Sequence, residues 1–311
     1  MKHLYKFIAL VFIFMIGIAF FSKSIPSISV STTTASSIQD STFPMVYLQV
    51  GESFINPLHG YSSELNSSTV RESITPLDTG KTFAVNIAEN DSKIKKLSYE
   101  LRDIANNKSI ETGDITAFDK NKKYKVATVH LKEAMDTSTE YGFCMTLITN
   151  YSKKIHFYTR IKYYDNDFFL SKKLDFVAKF HAATFDQGRS LDLSQYLESG
   201  TNDDSSYESV DIHSSRKLIT WGKLKPKRLT DVVPTVKELN IETAAISQTY
   251  FVSATTASGS ETYQVKEFYR VRYSGGRIYL LYFKRTMEAI FDPSLISINK
   301  SEVKIGISSA E

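Results

Sequence analysis

Short runs of β-branched and aromatic residues, each closed by turn residues, constrain this chain more than any other feature. From residue 42 to Tyr164 they read MVYLQV, TFAVNIA, KLSYELRDI, KSIETG, KVATVHL, YGFCMTLIT and KIHFYTRIKYY. Apolar and polar side chains that alternate over so few residues suit a half-buried strand, not a helix. Six or seven strands in about 120 residues predict a β-sandwich of immunoglobulin or fibronectin type III kind over 42–164. The aromatic content, 20 Phe and 18 Tyr against one Trp, favours the same class.

One pairing follows from parity alone. If the loop around NYSKK holds an odd number of residues, Phe143, Met145 and Leu147 share a face with Ile155, Phe157 and Ile161. A slip of one residue would oppose that apolar row with His156, Tyr158 and Arg160, so the odd loop is expected. Cys144, the only cysteine, then lies on the other face with Thr146 and Ile148 as a packing residue; no intrachain disulfide can form.

The period changes after YYDNDFF. Leu170, Leu174, Val177, Ala178, His181 and Phe185 recur at helical spacing, with Phe176 and Phe180 widening the stripe. Ser171 is the expected N-cap, Gly188 the expected stop, and His181 a hydrogen-bonded core histidine. Residues 165–204 therefore form a helical connector that ends in the acidic loop TNDDSSYES. Strands return in VDIHS, KLITWG, AAISQTYFVSA, TYQVKEFYRVRY, RIYLLYFKR and EVKIGIS, giving a second β-rich domain over 205–311, whose abrupt stop is either a natural end or the edge of a truncated protein. The fold class is thus mainly β, with two tandem sandwich-like domains joined by an amphipathic helix.

The beginning of the chain points to a membrane. Lys2, His3 and Lys6 precede the apolar run Phe7 to Phe21, and no A-x-A-like cleavage site or lipid-anchoring cysteine follows. Residues 1–21 are read as an uncleaved signal anchor, in preference to a removed signal peptide, and the lysines place everything after them outside the cytoplasm. Residues 22–41, rich in Ser and Thr, form a stalk. An extracytoplasmic chain without disulfides, rich in Lys, Asn, Ile and Tyr, fits the surface of a Gram-positive bacterium.

Catalytic and metal motifs fail on inspection. TPLDTGKT (Thr75 to Thr82) lacks the first glycine of a phosphate loop and runs into a strand pattern. The DND of Asp165 to Asp167 lacks the spacing of a calcium loop, and the serine and lysine of SEVK face opposite ways on a strand. The six histidines show no zinc spacing. No catalytic residue, cofactor site or metal site is assigned, and no nucleic-acid partner is indicated by a net charge of +4.

The binding candidate is the hairpin EFYRVRYSGGRIYLLYFKR, Glu267 to Arg285. A two-residue turn at Gly275-Gly276 sets Tyr273 opposite Ile278, Val271 opposite Leu280 and Tyr269 opposite Tyr282 on a core face. Its other face would pair Arg272 with Tyr279, Arg270 with Leu281 and Phe268 with Phe283, ending in Lys266 and Arg285. Such a half-apolar, cationic face is expected to dock a folded protein partner or a further C-terminal domain, with an anionic wall polymer as the lesser candidate. The wider stretch Arg216 to Arg285 holds thirteen Lys or Arg against five acids.

NPLHGYSSELNSSTVRESITPL, TWGKLKPKRLTDVVPTVKELN and EFYRVRYSGGRIYLLYFKRTME together resemble the N-terminal part of large uncharacterised membrane-anchored surface proteins of Gram-positive anaerobic bacteria. The resemblance implies a chain that continues past residue 311 and carries no activity over. The functional expectation is a non-enzymatic, membrane-anchored binding or scaffold protein of the cell envelope; the alternatives are a polysaccharide-binding module or part of an envelope hydrolase.

Overall fold

A computed structural model describes residues 43–66, 69–121, 123–198, 206–256 and 259–290, together with Lys6 and Met15. The apolar N-terminal run, the Ser/Thr stalk, most of the acidic loop and the segment EVKIGIS lie outside the described residues. Among the described residues no helix is long and apolar enough to cross a membrane. From residue 43 on, they belong to one compact unit, which is mainly β and built on three sheets.

The first ten strands are β1 (Met45–Val50), β2 (Ser53–Leu58), β3 (Ile74–Leu77), β4 (Thr82–Ala88), β5 (Ile94–Asp103), β6 (Ser109–Ile115), β7 (Asp119–Asn121), β8 (Tyr124–His130), β9 (Glu140–Thr149) and β10 (Lys154–Tyr163). They form two five-stranded sheets, ordered β2-β1-β4-β8-β7 and β3-β10-β9-β5-β6, with sandwich-like packing. Strand β3 pairs parallel to β10; every other neighbour is antiparallel. The β9–β10 hairpin has the odd loop: Leu147 faces Ile155, Met145 faces Phe157, and Phe143, Met145, Leu147, Ile155, Phe157 and Ile161 are all buried. Thr75 to Thr82 runs strand, Asp78-centred turn, strand, so no phosphate-binding helix follows Gly80.

Helix α1 (Leu170–Phe185) occupies the expected residues but starts differently. Its N-cap is Phe169, in a left-handed backbone with no side-chain cap; Ser171 lies inside the first turn. Chain reversal at Phe169 is held by its N–H, which donates to Asp167 Oδ1. The buried face comprises Leu170, Lys173, Phe176, Val177, Phe180, His181, Ala183 and Thr184, so Leu174 is only half-buried and Ala178 is exposed. The stripe is rotated because Lys173 finds partners inside, whereas Thr184 bonds back to the His181 carbonyl of its own helix. Lys173 Nζ donates to the carbonyls of Phe168, Asn240 and Ile241 at 2.8–2.9 Å, and burial lowers its ammonium to about 8.

The third sheet contains β11 (Ser209–Asp211), β12 (Lys227–Arg228), β13 (Thr235–Leu239), β14 (Thr243–Thr256), β15 (Gly259–Ser274) and β16 (Arg277–Ala289); the short helix α2 (Arg216–Ile219) lies between β11 and β12. Its order is β11-β16-β15-β14-β12, and β13 pairs with the start of β14. Phe180 of α1 meets Tyr269 and Phe283 of this sheet at ring separations of 5.8 and 5.1 Å. The buried apolar core runs without interruption from Val46 through α1 to Met287.

Polar stitches join the sandwich to the third sheet. Asn56, fully buried at φ 52°, donates from Nδ2 to the Ile74 carbonyl (2.8 Å) and accepts at Oδ1 from the Val236 amide (2.8 Å). Its own amide donates to the Pro234 carbonyl. Arg160 bridges Glu140 and the Lys237 carbonyl, and the Tyr164 hydroxyl donates to the Leu239 carbonyl. Each satisfies a group whose burial would otherwise be costly.

Candidate functional site

The hairpin turn forms as expected: Gly275 and Gly276 both have positive φ, which a two-residue primed turn requires, and Tyr273–Ile278, Arg272–Tyr279 and Val271–Leu280 pair as predicted. Beyond Leu280 the register shifts. Arg270 faces Tyr282, Tyr269 faces Phe283, Phe268 faces Lys284 and Glu267 faces Arg285, leaving Leu281 as the extra residue of a β-bulge. The expected pairs Tyr269–Tyr282, Phe268–Phe283 and Lys266–Arg285 do not form. One added residue exchanges the faces of everything after it, so Phe283 and Arg285 turn into the core.

Five of the seven predicted residues remain on the outer side. Arg270, Arg272, Tyr279 and Leu281 are exposed and Phe268 is half-buried. Tyr282, expected in the core, joins them at 41% exposure beside Leu281 at 43%, and its ring packs edge-on against Phe268 with centroids 5.9 Å apart. Arg272 and Arg277 both lie over the Tyr279 ring, 5.1 and 5.2 Å from its centroid, and Arg270 pairs with Glu238 at 3.1 Å. Leu280-Leu281-Tyr282-Phe283 is apolar throughout, so no alternation in the sequence marks where the bulge falls.

Of the two inward residues, Phe283 packs in the apolar core and Arg285 lies near a buried polar cluster centred on Glu267. Glu267 is enclosed by the Tyr250 hydroxyl (2.8 Å), the Tyr269 hydroxyl (2.7 Å) and His181 Nδ1 (2.8 Å). Burial alone would raise its carboxyl, but His181, Arg285 and Tyr269 more than offset that and hold it below its ordinary 4.5. The Tyr250 and Tyr269 hydroxyls are pushed well up, first by burial and then by the Glu267 charge. Arg285 donates to the carbonyls of Leu218 and Ile219, and its guanidinium lies 3.5 Å from the ring centroid of Trp221. Trp221 follows α2 with φ 65°.

On the other side of His181 an open groove of about 590 Å³ runs between α1, the start of β2 and the third sheet. Arg228 Nη1 lies 3.2 Å from His181 Nε2, which must accept because guanidinium only donates; the imidazole proton therefore sits on Nδ1, toward Glu267. A base with an orienting carboxylate is half of a nucleophilic constellation, but Arg228 stands where the nucleophile would have to be. Cys144 is no substitute: it is buried opposite Tyr158, and burial pushes its thiol up to about 11. Among the described residues no group of three or more His, Cys, Asp or Glu is placed to hold a metal ion.

Neither protein-family models nor curated proteins match this chain.

Proposed function

We propose that the chain is a non-enzymatic binding or scaffold protein of a bacterial cell envelope, membrane-anchored through its N-terminal apolar run, whose outer β15–β16 face docks an acidic folded protein. The observation that carries this reading is the bulge. It turns Leu281 and Tyr282 outward together against Phe268, making an apolar strip bordered by Arg270, Arg272, Arg277 and Lys284. Apolar residues among arginines suit a protein interface with a desolvated centre and a charged rim. The cationic border calls for carboxylates on the partner. The lysines before the apolar run, and the lack of an A-x-A-like cleavage site after it, support display on the outer surface.

The test is photo-crosslinking from position 284 of the full chain in its own envelope, with the captured chain identified. A discrete acidic protein should be captured, and Leu281→Asp with Tyr282→Asp should abolish capture. Arg270→Ala with Arg272→Ala should weaken it in a salt-dependent manner. The reverse order, with arginines decisive and the aspartates harmless, would overturn protein docking in favour of an anionic wall polymer.

A further inference from the structure

A second opening, of about 360 Å³, lies where α1 ends and meets the segment between α2 and β12. Its charge sets it apart. The groove beside His181 has Glu52 and Asp175 in its wall, and a cleft across β5, β6 and β9 has Glu64, Glu100 and Asp114. This one has Arg189 and Lys225 and no acid. Arg216 joins them at the rim: its Nη2 donates to the carbonyl of Gln187, a wall residue, and its guanidinium lies against Gly188, where a Cβ would come within 2.8 Å of it. All three cations are exposed. The sequence concentrates this charge, with six Lys or Arg and no acid between Asp211 and Asp231.

The end of α1 accounts for part of the arrangement. Arg189 Nε donates to the Asp186 carbonyl, and the negative end of a helix is worth about half a charge, too little to balance three cations. Asp186 turns its own carboxylate onto the amides of Arg189 and Ser190, and Asp192, which also feels Arg216, turns its onto Ser194 and Gln195. Neither lines the cleft. The backbone adds an independent sign. Of the nine non-glycine residues with positive φ among the described residues, three line this cleft: Gln187 at 63°, Trp221 at 65° and Lys225 at 42°. Left-handed backbone is costly for a residue with a Cβ, and it gathers where a fold clamps a ligand.

We propose that this cleft binds the dianion of a phosphate monoester. Three like charges around one opening repel one another until an anion of more than one charge sits between them. A phosphate monoester carries nearly two negative charges at neutral pH, whereas a carboxylate or a phosphodiester carries one. Arg189 keeps both Nη groups for phosphate oxygens, Arg216 keeps Nη1 and Nε, and Lys225 supplies a point charge. The half-buried Phe185 ring gives the organic part an apolar wall. This site is separate from the outer β15–β16 face, and neither reading depends on the other.

The experiment titrates the full chain by calorimetry with glycerol 3-phosphate, with the diester glycerophosphoglycerol and with glycerate. Glycerol 3-phosphate should bind saturably at one site, and the diester and the carboxylate at least about tenfold more weakly. Arg189→Gln and Lys225→Gln, at exposed positions where substitution leaves the fold intact, should each weaken glycerol 3-phosphate about tenfold. Arg71→Gln, which removes an exposed arginine of the sandwich, should leave it unchanged. No saturable binding, or a diester or glycerate that binds as tightly as the monoester, overturns the proposal. So does an equal loss in Arg71→Gln, which would mark diffuse attraction to a cationic chain.

Discussion

At Glu267 a carboxylate sits wholly inside the protein yet is held in its ionised form by His181, Arg285 and Tyr269. Its folded value lies below the unfolded 4.5, so its contribution is fully present above 4.5 and is lost as pH falls through the folded value. Urea unfolding should therefore show stability declining below pH 4.5, and Glu267→Gln should lack that component while costing about 3 kcal/mol near neutrality. Matching pH slopes in variant and wild type would remove Glu267 from this role. Cys144 behaves oppositely: a thiol raised to about 11 and buried under Tyr158 should resist labelling at pH 8 in the native protein and react at once in urea. Cys144→Ser should cost no more than about 1 kcal/mol. Fast native labelling would contradict that packing role.

Among the elements, β16 depends on its bulge more than on the side chain that makes it. Ile278 and Leu280 point inward before Leu281, and Phe283, Arg285 and Met287 after it; only an odd insertion permits both sets. Leu281→Ala should change stability by less than about 0.5 kcal/mol, whereas inserting one alanine after Leu281 should abolish the cooperative transition by driving Phe283 and Arg285 outward. Comparable melting of the two variants would refute the bulge as the determinant. The same strand shows what was legible beforehand. Tyr-Arg-Val-Arg-Tyr alternates, so β15 and its turn could be read locally. Phe283 and Arg285 could not, because their burial depends on Phe180 and Trp221, far away in sequence. Helix α1 was legible from its 3.6-residue spacing, but its rotation was not, since two of the three carbonyls that hold Lys173 inside, those of Asn240 and Ile241, lie far away in sequence. Nothing local marked His181 and Arg228 as neighbours, 47 residues apart.

Across the whole molecule the core is continuous and the stitches at Asn56, Arg160 and Tyr164 cross between the sandwich and the third sheet. Unfolding of one part should expose the other. Two internal reporters can test this: Trp221 belongs to the third-sheet side and Cys144 to the sandwich. Trp fluorescence and thiol accessibility should change at the same urea midpoint, and Asn56→Ala should lower both together by about 2 kcal/mol. Separate midpoints would instead describe two independently stable halves.

The Asn56 stitch also sets an order in time. Its partner amide at Val236 follows 180 residues later, and β3 waits 86 residues between Ile74 and its parallel neighbour Arg160. A chain emerging at roughly 5–20 residues per second would hold Asn56 without that partner for roughly ten to forty seconds. During that interval the outer edge of β2 has no covering strand. Pro57, which has no N–H to offer a stray strand, follows Asn56 in β2, the end strand of its sheet.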